Sequence, residues 1–410
     1  MTKGQVVIAT IFISLSSAAS AAFSNYNGVL VGERAAGMGG AAIALTDDAS
    51  AAAYYNPATL ARLTGRSLSA NTTLFNKYDS SYGDEKSLDS SLFRINKGAI
   101  LTVPASSGIF SSFHNFSAGL SIVVPEYQNF GGVISDSGTF LHVENQSLWV
   151  GGAMGLNLTD KDAVGLTAYY TSQSFTRSLS SRFAGGGGTT SALENSTFTT
   201  NSIIYQLGYF HEFNENWQAG AVYRFRSIPV GGSASYQNSS VSSGGAAPTP
   251  IETTNLKARA GTPDRLGFGV VYSTPHKQTF SFDVNWYDSN SFSDFDQYGD
   301  VINQNTLVNF ALGFENYVEP WLALRLGVFT DLAASPKIPL TPDRRYQDHI
   351  DKYGFSLNFG IKTTEHTTVD LGGYYVGGTG TTSELIDGSY QRLKKSEYLF
   401  SFLVGSSYVF

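Results

Sequence analysis

Side chains change character at every second residue over most of this 410-residue chain. In 321–329, Leu322, Leu324, Leu326 and Val328 form an unbroken apolar set between Trp321, Ala323, Arg325, Gly327 and Phe329. In 280–287, Phe280, Phe282, Val284 and Trp286 alternate with Ser281, Asp283, Asn285 and Tyr287. In 353–362, Tyr353, Phe355, Leu357, Phe359 and Ile361 alternate with Gly354, Ser356, Asn358, Gly360 and Lys362. A period of two sends successive side chains to opposite faces of an extended strand. Each stretch therefore has one apolar face and one polar or small-residue face.

Reading every such stretch gives about fourteen strands, near 66–78, 96–104, 115–126, 141–158, 162–178, 197–213, 216–229, 263–274, 279–291, 305–317, 320–332, 352–363, 366–378 and 395–410. After the first few, the connections sort by length. Short ones fall at 160–162, 214–216, 275–278, 318–319 and 364–365, and long ones at about 179–196, 230–262, 292–304, 333–351 and 379–394. Short periplasmic turns alternating with longer outer loops, on an even strand number, describe a bacterial outer-membrane barrel. A soluble sandwich has no reason to sort its loops by parity. The last strand agrees: Tyr398, Phe400, Phe402, Val404, Tyr408 and Phe410 share a face that only Ser406 interrupts, and Phe410 ends the chain. The expected fold is all-β, a 14-stranded antiparallel transmembrane β-barrel over 66–410.

Charged residues make up 14% of the chain, against about 25% in an ordinary soluble domain. Glycine is abundant at 43 residues and methionine scarce at 3, which suits strands and tight turns. No run of 18 apolar residues follows the N-terminus, so no transmembrane helix is expected. A closed barrel pairs its backbone internally as completely as a helix does, so membrane insertion stays open. The net charge of −7 argues against a nucleic-acid partner, which would need a clustered basic excess. With no Cys there is no disulfide framework and no thiolate metal site. Lys3, the apolar run 6–15 and the small residues 16–22 read as a signal peptide, cleaved after Ala21 or Ala22. Residues 1–22 are therefore set apart from the fold.

Residues 23–65 break the strand pattern. They are rich in Ala and Gly and suit short helices and turns, and a barrel lumen of this size is often plugged. Gly39-Gly40-Ala41-Ala42-Ile43-Ala44 leads through Asp47-Asp48-Ala49-Ser50 to Asn56-Pro57-Ala58. This segment resembles the hatch of the FadL-type outer-membrane transporters of long-chain fatty acids and hydrocarbons, whose hallmark is Asn-Pro-Ala just before the first strand. Leu324 to Phe329, then Pro342-Asp343-Arg344 and the strand from Tyr353, agree. The resemblance implies a hatch in the lumen, shaped where it meets the wall by Asn56, Pro57 and Ala58. It also implies a hydrophobic small-molecule ligand taken from outside and released sideways, where the third strand kinks, into outer-membrane lipid. Pro125, followed by Gly131 and Gly132, is a candidate for that kink, because proline cannot donate to a ladder; it could equally end the strand at the membrane surface. The loops 181–196 and 231–262 depart from the fatty acid transporters, being Ser-, Gly-, Ala- and Thr-rich with no apolar helix.

A carboxylate ligand would want an arginine or lysine away from water. Arg325, Arg344 and Arg345 are the candidates; for Arg325 pairing with lumen carboxylates such as Asp283 or Glu315 is the simpler expectation. Catalysis is not expected: no His pair, no Gly-x-Ser-x-Gly elbow and no phosphate loop occurs. His142 and Glu144 share a strand face and read as a lumen pair. No metal or cofactor site is expected, and the barrel is expected to act as a monomer. Two other roles fit a barrel: a surface-interaction protein whose polar loops meet a phage or host, and a general porin.

Overall fold

The computed structural model describes residues 24–83, 91–133, 140–185, 188–242, 251–257, 261–293, 301–343, 346, 348–386 and 389–410. The expected signal peptide, Arg344 and Arg345 lie outside the described residues. Fourteen strands close into a ring: β1 (Arg66–Gly83), β2 (Ser91–Phe113), β3 (Phe116–Val133), β4 (Phe140–Asn157), β5 (Asp162–Gly185), β6 (Gly188–Glu212), β7 (Trp217–Arg224), β8 (Arg265–Ser273), β9 (Gln278–Tyr287), β10 (Leu307–Glu319), β11 (Leu322–Asp331), β12 (Lys352–Lys362), β13 (Thr367–Ile386) and β14 (Ser389–Val409). Each pairs antiparallel with its successor, and β14 returns to β1 from Val409↔Ser67 to Lys394↔Gly83. All fourteen stretches read from the sequence become barrel strands.

The two faces differ as alternation requires. Leu312, Val328 and Phe355 on one face are about half exposed, while Ser281, Asn309 and Glu315 on the other are completely buried. Apolar residues exposed on every strand would aggregate in water; against hydrocarbon they are in their preferred solvent.

The outer loops differ from expectation. Strands β5 and β6 remain paired to Gly185↔Gly188, and β13 and β14 to Ile386↔Ser389, so 179–196 and 379–394 are hairpin extensions. Within 230–262, Ile228–Ser242 continues along β6 and Ile251–Leu256 returns on it. Above the membrane neither face meets lipid, so the apolar alternation fades while the backbone ladder carries on. The lumen pair read at His142 and Glu144 is also corrected: Leu141, Val143 and Asn145 take the buried face of β4, which turns His142 and Glu144 outward, with Glu144 exposed.

Before β1 come two short helices, α1 (Arg34–Gly37) and α2 (Ala49–Tyr55), and a 3-10 turn, Pro57–Arg62. They and their connections are buried from Leu30 to Ala61 except around Thr46 and Asp47 and at Arg34.

Candidate functional site in the barrel lumen

Residues 24–65 are tied to the buried face of the wall by hydrogen bonds around the ring. Asn56 is fully buried. Its Nδ2 donates to the carbonyls of Ile43 (2.7 Å) and, on β6, Tyr209 (3.0 Å), and its Oδ1 accepts from the Ala58 amide at 3.1 Å. Pro57 opens the 3-10 turn, where a missing N–H leaves nothing unpaired. Asp48 caps α2 through the Ala51 amide at 3.0 Å and also accepts from Ser50 and Ala35. Asp47, in contrast, is exposed in a left-handed turn (φ 65°) and accepts a long hydrogen bond from Thr46. Gly39 also has positive φ and passes against the backbone of Gly327 and Val328, and Gly40 lies under the Tyr55 hydroxyl. From the wall, Asp283 accepts from the amides of Ala42 and Ile43, Ser281 donates to Ala41, and Ser356 donates to Gly37.

A belt of wall glycines makes these contacts sterically possible. Gly155 pairs with Gly165, Gly165 with Gly208, Gly220 with Gly269, and Gly313 with Gly327. A Cβ on any of them would collide with the N-terminal segment, chiefly with Met38, Gly39, Ile43 or the Pro57–Ala61 backbone. Glycine inside a strand often marks such a close backbone approach. The sequence reading missed the belt; the available signal was glycine on the inward face of successive strands at one height.

Arg325 sits beneath α1 in a paired network. Its Nε donates to Glu315 at 2.7 Å, and its Nη1 meets Asp370 and Asn358. Arg34 grips Glu315 from the other side at 2.6 Å. Both cations are thus held by wall carboxylates. Glu33, next to Arg34, is buried, and burial together with the Asp48 charge holds its carboxyl well above the ordinary carboxylate range. At the short-turn end a cavity of about 330 Å³ is lined by Arg34, Lys277, Thr279, Glu315 and Tyr317.

Two ladders stop short among the described residues: β10 and β11 part beyond Ala311↔Phe329, where the side chains of Asn309 and Thr330 bridge the gap, and a longer seam opens between β2 and β3. Strands β2 and β3 pair from Phe113↔Phe116 to Ser106↔Val123 and no further, among the described residues. Beyond that point β2 stays on β1 from Pro104 back to Ser91, and β3 stays on β4 from Glu126 to Val133. The β3–β4 register slips between Val123 and Glu126. Pro125 therefore lies in a bulge at the top of the ladder, and β3 does not end there. Inside this seam stand Val123 and Trp149 with Tyr54, Tyr169 and Ile204. Farther out, Tyr78, Tyr82, Leu141, Val143, Phe175, Leu179, Phe198 and Tyr236 form an apolar cluster above the N-terminal segment. Its centre is the stacked pair Phe175 and Phe198, 4.8 Å apart. None of these aromatics was singled out from the sequence, since an inward aromatic reads like any other strand residue.

A closed fourteen-stranded antiparallel barrel, apolar outside and with its lumen filled by the chain's own N-terminal segment, defines an outer-membrane channel class. The family described as outer membrane protein transport protein (OMPP1/FadL/TodX) matches residues 12–396, and this chain belongs to it. Its location is the outer membrane. Similar solved structures include a Pseudomonas aeruginosa FadL homologue, at 15% identity over 93% of this chain and 99% of that one, with a TM-score of 0.74. The P. putida toluene transporter TodX aligns at 14% identity over 92% and 98%, with a TM-score of 0.69. The Ralstonia pickettii toluene transporter TbuX aligns at 14% over 92% and 98%, with a TM-score of 0.61. Comparison with curated proteins finds no match.

Proposed function

We propose that this chain is a passive channel carrying hydrophobic or amphipathic small molecules across the outer membrane. A monomer suffices for this path. Residues 1–22 direct export and are removed, and residues 23–65 serve as the hatch that closes the lumen to water. The solute enters the apolar mouth around Phe175 and Phe198, descends past Tyr54 and Trp149, and leaves sideways between β2 and β3. The observation that carries this reading is the seam: the longest interrupted ladder of the ring among the described residues opens beside buried aromatics and the lipid-facing Leu120 and Ile122. In lipid an unpaired backbone group costs several kcal/mol, on the order of a lost hydrogen bond in hydrocarbon, so a seam there needs a function to justify it. The toluene transporters among the similar structures lend support to an apolar solute. No covalent step and no cofactor enters this scheme. Apolar solutes cross plain phospholipid unaided, so the test uses vesicles with a lipopolysaccharide outer leaflet. Toluene entry at least tenfold faster with the barrel than without it is expected; equal rates would refute the proposal.

A further inference from the structure

Four cations of the lumen are tightly ion-paired. Arg34, Arg325, Lys352 and Lys395 each have a carboxylate oxygen within 2.7 Å. Arg224 and Arg265 are as deeply buried, at 3% and 2% exposure, and among the described residues neither is in an ion pair. They stand directly opposite each other on β7 and β8, in a row that runs Gln206, Arg224, Arg265, Tyr287 across four strands. Two acids lie within electrostatic reach, Glu126 of Arg224 and Asp283 of Arg265, but among the described residues neither contacts a guanidinium; Asp283 accepts the amides of Ala42 and Ile43 on one oxygen. Arg265 has one neutral partner, its Nε donating to Asn285 at 2.8 Å, and the Nε of Arg224 has no partner at all.

This arrangement is unfavourable by itself. Like charges directly opposite on neighbouring strands repel, and buried charges are normally paired. What stabilises Arg224 is aromatic: its guanidinium lies 5.4 Å from the Trp149 ring centre and 5.9 Å from that of Tyr287. Tyr26 stacks on Tyr287 at 4.8 Å, and Tyr54 lies 5.8 Å from Trp149. Two guanidinium forks with no carboxylate in contact among the described residues, bordered by flat rings, present the complement of a planar acid: an anionic carboxylate that forks can hold bidentately, on a ring that stacks.

We propose that Arg224 and Arg265 form an acid-recognition subsite in the lumen, selecting an aromatic carboxylate whose ring lies among Trp149, Tyr287 and Tyr54. The subsite deepens the passage proposed above and rests on it. The chain already bears the electrostatic strain of the pair when empty, and the ligand's charge relieves it, so affinity should follow the carboxylate more than the apolar area.

The full barrel in nanodiscs is titrated calorimetrically at pH 7 with benzoate, toluene and laurate. Benzoate is expected to bind at least tenfold more tightly than toluene and more tightly than laurate. Arg224→Gln and Arg265→Gln should each weaken benzoate about tenfold and leave toluene unchanged, with Arg224→Lys intermediate because it keeps the charge but not the fork. Heat-modifiable mobility in gels reports that each variant is a folded barrel. Should the Gln variants fail to fold, the wild-type ratio decides. Equal wild-type affinities for benzoate and toluene overturn the subsite, and so does benzoate binding that ignores both substitutions; tighter laurate overturns the aromatic class. Toluene entry in the vesicle assay without these preferences sinks the subsite alone, whereas no entry of any solute sinks the passage as well.

Discussion

At the scale of single residues, Asn56 shows how little of a motif's meaning lies in its backbone preference. Asn before Pro would serve as a turn anywhere, but here the side-chain amide bridges two parts of the chain, giving to Ile43 within the N-terminal segment and to Tyr209 on the wall. Asn56→Ala leaves both carbonyls and the Ala58 amide without that partner in a buried place, at about 1–3 kcal/mol for each group left unsatisfied. We expect Asn56→Ala to loosen residues 49–62, seen as faster proteolysis and amide exchange there while the barrel stays folded. Asn56→Asp should do the same, since a carboxylate cannot donate. Protection equal to wild type in both would show that the tie is unimportant. Asp47→Asn, at the exposed turn, is the control and should stay within about 0.5 kcal/mol of wild type. Arg325 teaches the complementary point. Its inward direction was legible from alternation alone, and Glu315 was a named partner, but the second tie through Asp370 crosses 45 positions and the grip of Arg34 on the same Glu315 crosses 281.

For the strands, the informative contrast lies between β3 and its neighbours. Its sequence alternates through Val124 and then meets Pro125, which announces an irregularity without saying which ladder fails. The structure keeps β3 on β4 across a bulge and releases it from β2. Ala105 and Val124 are the residues just beyond the last β2–β3 pair. Because the chain has no cysteine, Ala105→Cys with Val124→Cys makes a unique site for a bis-maleimide bridge. Bridging should cut toluene entry to the protein-free rate in the vesicle assay while strand content by circular dichroism is unchanged. Entry at the unbridged rate would remove lateral exit from the scheme. The long outer loops failed to read correctly for a related reason: Ser, Gly and Thr carry no apolar alternation, yet they pair well enough once strands β5, β6, β13 and β14 project beyond lipid.

Taken as a whole, the molecule is a ring whose interior must be filled or wet. The N-terminal segment packs inside it against the glycine belt. Deleting residues 24–62 while keeping the signal and β1 should therefore leave a folded barrel with a water-filled lumen and a clear rise in single-channel conductance. A deletion that conducts no better than the full chain would mean the segment does not close the pore. What the linear order of residues determined by itself is local: which face of each strand meets lipid, how many strands there are, and where the short turns fall, because a period of two is written into neighbours two positions apart. What the tertiary structure alone decided is relational: which ladder stays open at Ser106 and Val123, which arginines find carboxylates and which do not, and which glycines admit the segment inside. Those depend on the stagger between strands around a closed ring, and stagger is set by every pairing at once.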